Sequence, residues 1–150
     1  MPTKTRCQGA IVKGSQVLLI QHSEHAAGGR SYWLLPGGRQ EDGESAEECV
    51  IREMREETGL EVEIACLLFD DQSLSRKLDV YKRFLTYLCR IVSGEPKPGY
   101  EPEIESSQLY GITDVRWFDL RDETSWSEKI LNDRITYPMM KRLQECLINS

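Results

Sequence analysis

The segment from Gly37 to Leu60 constrains this chain more than any other. Pro36, Gly37 and Gly38 stop a short apolar run, and after a polar stretch Ser45 opens a helix. Ser45 with Glu48 three residues later is a capping-box pattern, in which each side chain satisfies an amide that the first helical turn leaves bare. Ala46, Cys49, Val50 and Met54 recur at helical spacing, which predicts a helix laid on a sheet. Gly59 stands where a left-handed residue ends a helix. The same helix carries Glu53, Glu56 and Glu57 at i, i+3 and i+4, on one face and within about 6 Å of rise. Three like charges this close repel one another. One reading is a solvated charged face steadied by pairs such as Arg52 with Glu56. The other places a divalent cation among the carboxylates, and oxygen-only ligands suit a hard ion, Mg²⁺ or Mn²⁺.

From Gly38 the chain reads Gly, five residues, Glu44, seven residues, Arg52-Glu53, Met54, Arg55, Glu56-Glu57, Thr58, Gly59, Leu60. This resembles the signature box of the Nudix hydrolases at every specified position. The approach Trp33-Leu34-Leu35-Pro36-Gly37 and the later Val115-Arg116-Trp117-Phe118 resemble the family more loosely. The resemblance implies an α/β/α sandwich with a mixed sheet and helices on both faces. It implies metal-dependent hydrolysis of the pyrophosphate linkage in a nucleoside diphosphate joined to another moiety. A nucleotide sugar or ADP-ribose, a modified (d)NTP and a dinucleoside polyphosphate all fit. It also implies that Glu53, Glu56, Glu57 and the Gly37 carbonyl hold Mg²⁺ or Mn²⁺, with Arg52 orienting the glutamates. Glu44 is read as a structural or supporting acid first and a catalytic one second. For the general base the order is Glu56, then Glu105, then Glu103, with Glu101 and Asp114 as further candidates. Related chains often carry a glutamate shortly before the Trp-Phe strand, where this chain has Gly111-Ile112-Thr113-Asp114.

Recognition of the rest of the substrate falls to other residues. Arg30, Tyr32, Arg39 and Glu105 are the substrate-contact candidates. Tyr110, Phe69 and Trp117 are further stacking candidates, although Phe69 and Trp117 read better as core. His22 and His25 are within reach of phosphates but read more simply as exposed loop residues. Two other functions occur on the fold that the resemblance implies: a catalytically silent nucleotide-binding or partner-sensing module, and an isomerase of isoprenoid diphosphates. The intact set Arg52, Glu53, Glu56 and Glu57 speaks against both.

The whole chain is consistent with one domain over residues 1–150, enough to bury a core. Its formal net charge of -6 argues against binding nucleic acid or anionic membrane. No apolar run approaches the roughly 18 residues of a membrane span, and the first residues lack the apolar stretch of a signal peptide. The five cysteines are scattered and odd in number, as expected of reduced thiols in a cytoplasmic protein. Exposed sheet edges in related proteins leave a homodimer open.

Elsewhere the pattern predicts a hairpin of Ala10–Val12 and Val17–Ile20 around Lys13-Gly14-Ser15, and a short strand over 32–35. Longer strands are expected at 60–69, 80–91 and 115–120, with a polar loop between 93 and 110. Helical spacing covers 135–148, and a shorter helix is expected near 127–132.

Overall fold

A computed structural model describes residues 4–24, 29–72, 81–99 and 110–149, with backbone alone at Glu24 and Tyr110. His25, Glu101, Glu103 and Glu105 therefore lie outside the described residues, as does the side chain of Tyr110. In chain order the described elements are β1 (Thr5–Lys13), β2 (Gln16–Glu24), β3 (Ser31–Leu34), β4 (Gly37–Arg39), α1 (Ala46–Thr58), β5 (Glu61–Gln72), β6 (Arg83–Ser93) and β7 (Tyr110–Asp119). A 3-10 turn (Glu123–Ser125), α2 (Glu128–Leu131) and α3 (Thr136–Leu147) follow.

The strands form one mixed sheet with β1 at its centre. The order is β3-β2-β1-β6-β5, with β4 also paired to β1 and β7 to β2. Thr5 to Ile11 of β1 run parallel to Arg83 to Cys89 of β6, while the end of β1 turns antiparallel into β2. Successive side chains of a strand point to opposite faces. Cys7 and Ile11 of β1 accordingly enter a core with Cys49, Val50 and Met54 of α1. Ala10 enters the other core, with Trp33, Ile130 of α2 and Met140 and Leu143 of α3. The sheet thus carries helices on both faces, as expected. Among the described residues no helix is long and apolar enough to cross a membrane.

Both ends of α1 form as their residues predict. Ser45 Oγ accepts the Glu48 amide at 3.1 Å, and Glu48 Oε1 accepts the Ser45 amide at 2.9 Å. Gly59 sits at φ 76° and donates its amide to the Arg55 carbonyl. The α2 and α3 helices also lie where the periodicity places them.

Two expectations are corrected. The Gly37-Gly38 segment is no mere stop after β3, because Gly37 to Arg39 pair antiparallel with Gln8 to Arg6. A Cβ on Gly37 would stand 2.5 Å from the Cys7 carbonyl oxygen, so glycine lets this backbone approach β1 closely. The strand expected from 115 begins at Tyr110, since β2 continues to Glu24 and pairs with Gly111 and Ile112 beyond a register shift at Gln21/His22. In each case a partner distant in sequence recruits residues whose local composition reads as turn or loop.

Candidate active site

α1 packs on β1, β4 and β5, and this sets its carboxylates against the glycine strand. Glu53 and Glu57 are only 1% and 2% exposed. Buried carboxylates are costly unless donors or positive charge compensate them. Glu57 Oε1 accepts the Gly37 amide at 2.7 Å. Gly38 lies directly under Glu53, where an added Cβ would overlap the carboxylate. The missing side chain at Gly38 thus leaves room for Glu53, while the Gly37 amide meets Glu57.

Arg52 gathers the rest. Its Nε and Nη2 hold Glu44 as a fork, at 2.7 and 3.0 Å. Nη1 donates to Glu53 Oε1 at 3.0 Å and to Glu56 Oε2 at 3.1 Å, and Nη2 donates to the Arg39 carbonyl at 3.2 Å. The expected Arg52–Glu56 pair is thus one spoke of a larger hub. A planar guanidinium with five donors can serve all these acceptors at once, which an ammonium cannot. The guanidinium holds the Glu44 carboxyl below the ordinary carboxylate range. Cys49 Sγ lies 3.8 Å from the Gly38 carbonyl oxygen. The Cys7 thiol beside it, and burial, push the Cys49 thiol far up, so it adds no charge.

Arg52's single positive charge faces three of the carboxylates Glu44, Glu53, Glu56 and Glu57, which together carry a formal -4. The local excess of negative charge and the all-oxygen donor set fit a hard divalent cation. Among the described residues no three acidic, His or Cys side chains already surround one point as ligands. Arg52 donates to Glu53 and Glu56, and the Gly37 amide donates to Glu57.

The other sequence candidates fall in separate places. Arg30 is exposed just ahead of β3. Tyr32 lies opposite His22 of β2, with ring centroids 5.8 Å apart. Arg39 ends β4 with an exposed side chain, and its carbonyl is the group that meets Arg52. Asp114 accepts the Val115 amide at 2.8 Å and Arg116 Nε at 2.8 Å, contacts within its own strand. Trp117 packs against the α1 core and Phe69 against the opposite one, with Arg142 3.9 Å above the Phe69 ring. Both readings of these aromatics as packing groups agree with the structure.

Sequence reasoning missed Arg6. From β1 its Nη1 donates to the Gly37 carbonyl at 3.2 Å and its Nη2 to the Leu35 carbonyl at 3.0 Å. Its Nε donates to Gln8 Oε1 at 3.2 Å, and Gln8 passes the network to Thr86 of β6 at 2.9 Å. The Gly37 carbonyl keeps a second lone pair beside this bond. A lone arginine ahead of an apolar run carries no signal of this role. Only the β1–β4 register, Arg6 beside Arg39 and Gln8 beside Gly37, brings it there.

A family model described as NUDIX domain matches residues 3–137. The chain belongs to the NUDIX domain family. It is 30% identical over 128 residues to an ADP-ribose pyrophosphatase of Methanocaldococcus jannaschii, covering 83% of this chain and 69% of that one. It is 38% identical over 93 residues to the 8-oxo-dGDP phosphatase NUDT18 of Homo sapiens, covering 62% of this chain but 27% of the relative. Among solved structures, a MutT NUDIX hydrolase from Burkholderia pseudomallei superposes with a TM-score of 0.65 at 25% identity, covering 95% and 99% of the two chains. Several relatives are much longer: this NUDIX chain spans 32% of one from Caenorhabditis elegans and 38% of one from Vibrio parahaemolyticus.

Proposed function

We propose that this chain, as one NUDIX domain over residues 1–150, hydrolyses the pyrophosphate linkage of a nucleoside diphosphate joined to another moiety. The observation that carries this reading is the pair of buried carboxylates, Glu53 and Glu57, set against the Gly37-Gly38 backbone beside Arg52. Negative charge concentrated in this way suits a divalent cation, which in turn can bind phosphate oxygens. Glu53, Glu56, Glu57 and the Gly37 carbonyl would hold Mg²⁺ or Mn²⁺. When bound, the ion supplies charge neutralisation on the phosphates and a lower pKa for the attacking water.

The chain's own residues do the remaining work in this reading. Arg52 orients Glu53 and Glu56 through the bonds described, while Glu44 fixes Arg52. Glu56 takes the proton of the attacking water, with Glu105 and Glu103 next in order. Arg30, Tyr32, Arg39 and Glu105 contact the part of the substrate beyond the phosphates. The products are a nucleoside monophosphate and the phosphorylated remainder, or pyrophosphate from a triphosphate. The substrates in the relatives' names, ADP-ribose and 8-oxo-dGDP, set the first compounds to try.

The same reading places the protein in the cytoplasm, supported by five cysteines that are all free thiols. It keeps a homodimer as a proposal, supported by the position of β5 at one edge of the sheet and checked by sedimentation across protein concentrations.

The deciding experiment is a panel of ADP-ribose, nucleotide sugars, 8-oxo-dGDP, canonical and oxidised (d)NTPs and diadenosine polyphosphates, with and without Mg²⁺. We expect one class to be cleaved only when the cation is present, read as phosphate after coupling to a phosphatase, with pyrophosphatase added for the triphosphates. Binding of Mn²⁺ without turnover of any panel member would favour the silent nucleotide-binding module instead.

A further inference from the structure

The last turn of a helix leaves carbonyls with no amide four residues ahead. In α1 two of those carbonyls belong to Glu56 and Glu57, so what caps this turn also bears on where these two acids stand. Gly59 N–H bonds the Arg55 carbonyl. The next caps come from far along the chain, from the segment that follows β6. The Lys97 amide donates to the Thr58 carbonyl at 2.9 Å, and the Gly99 amide donates to the Glu57 carbonyl at 2.9 Å.

Gly99 is pressed onto this turn. A Cβ there would overlap the Glu56 carbonyl oxygen and stand 2.8 Å from the Glu57 carbonyl carbon. The obstacle is helix backbone, which cannot swing aside as a flexible side chain can. Any other residue at 99 must lift the segment from α1 and weaken the bond to Glu57. Glu57 is thus gripped at two points: its carbonyl by the Gly99 amide, and its carboxylate by the Gly37 amide at 2.7 Å. Lys97, between Pro96 and Pro98, supplies its amide to the neighbouring Thr58 carbonyl, and the proline that follows it disfavours helical backbone there.

We propose that Gly99 is a positioning residue of the cation site, capping the end of α1 so that Glu56 and Glu57 are held at the Gly37-Gly38 strand. The proposal rests on the reading that these glutamates hold a divalent cation. Groups that support metal ligands without touching the metal typically change affinity by about 10- to 100-fold when lost.

The test is Mn²⁺ binding to Gly99→Ala, read from the electron paramagnetic resonance of free Mn²⁺. Ile130→Val serves as a control, because Ile130 is fully buried in the core on the opposite face of the sheet and its truncation loosens the fold away from the site. Mn²⁺ affinity about tenfold weaker in Gly99→Ala, with the control unchanged, is the expected result. Equal affinity in the wild type and Gly99→Ala, or an equal loss in the control, overturns the proposal. Should Gly99→Ala fail to fold, hydrogen exchange on the wild type decides. Mg²⁺ is expected to slow exchange of the Gly99 and Lys97 amides, and no slowing at either overturns the proposal. Glu57→Gln run alongside separates the two ideas. If it binds Mn²⁺ as the wild type does, the cation reading itself is wrong. If it loses affinity while Gly99→Ala does not, only the role of Gly99 is wrong.

Discussion

Replacing Glu57 by glutamine is expected to cut turnover by at least about 10²-fold while leaving the fold intact, because charged groups at a reacting phosphate contribute on that order. The amide is nearly isosteric with the carboxylate, and its oxygen can still accept the Gly37 amide that Glu57 Oε1 accepts at 2.7 Å. What disappears is one negative charge in a group only 2% exposed. The melting temperature without Mg²⁺ should therefore be unchanged or higher, since like charges buried near one another repel. The rise in melting temperature on adding Mg²⁺ should shrink, because a ligand that binds only the folded state stabilises it in proportion to its affinity. Steady-state kinetics on the substrate found by the panel, with thermal melts in Mg²⁺ and in EDTA, check both halves. Unchanged turnover would sink the assignment of Glu57 to the cation.

The second large effect concerns Arg52. Removing one partner of a buried ion pair leaves an uncompensated charge and costs about 3–5 kcal/mol. The Arg52 side chain is 20% exposed and Glu53 2%, so solvent screens part of this, and Arg52→Ala is expected to lose about 2–4 kcal/mol in EDTA. Arg52→Lys should recover little, because one ammonium cannot fork onto Glu44 and also span Glu53 and Glu56. The loss should also depend on pH. Arg52 depresses the Glu44 carboxyl below its ordinary value of 4.5 in the folded state. That contribution is complete above the ordinary value and disappears as pH falls through the lowered one. The wild type should therefore shed this stability on acidification, and Arg52→Ala should show a flatter acid limb. Urea midpoints from about pH 3 to pH 7 measure it. Parallel acid limbs in the two proteins would count against the Arg52–Glu44 pair as the cause.

The parts of the site that could be read in advance are those built from near neighbours. Ser45 and Glu48 cap each other across three residues, Gly59 closes the same helix, and Glu53, Glu56 and Glu57 share a face through helical periodicity alone. The hairpin of β1 and β2 and the helix near 127–132 were legible for the same reason. Gly37 and Gly38 were legible as a break but not as a strand. Their pairing depends on β1, and their second use, Gly38 clearing space under Glu53 and Gly37 presenting its amide to Glu57, depends on where α1 comes to rest.

Arg6 and Gly99 mark what residue order could not disclose. Arg6 reaches the Gly37 carbonyl across 31 positions. Gly99 caps Glu57 from the far side of β5 and β6. Neither residue stands out by type or spacing. By itself the amino-acid sequence determined the helix, its ends, the order of acids along one face and the family, because these follow from interactions between residues a few positions apart. Only the tertiary structure decided which backbone amides and which guanidinium meet those acids. Strand register and helix docking juxtapose groups from distant segments, and that geometry comes from packing both faces of the sheet at once.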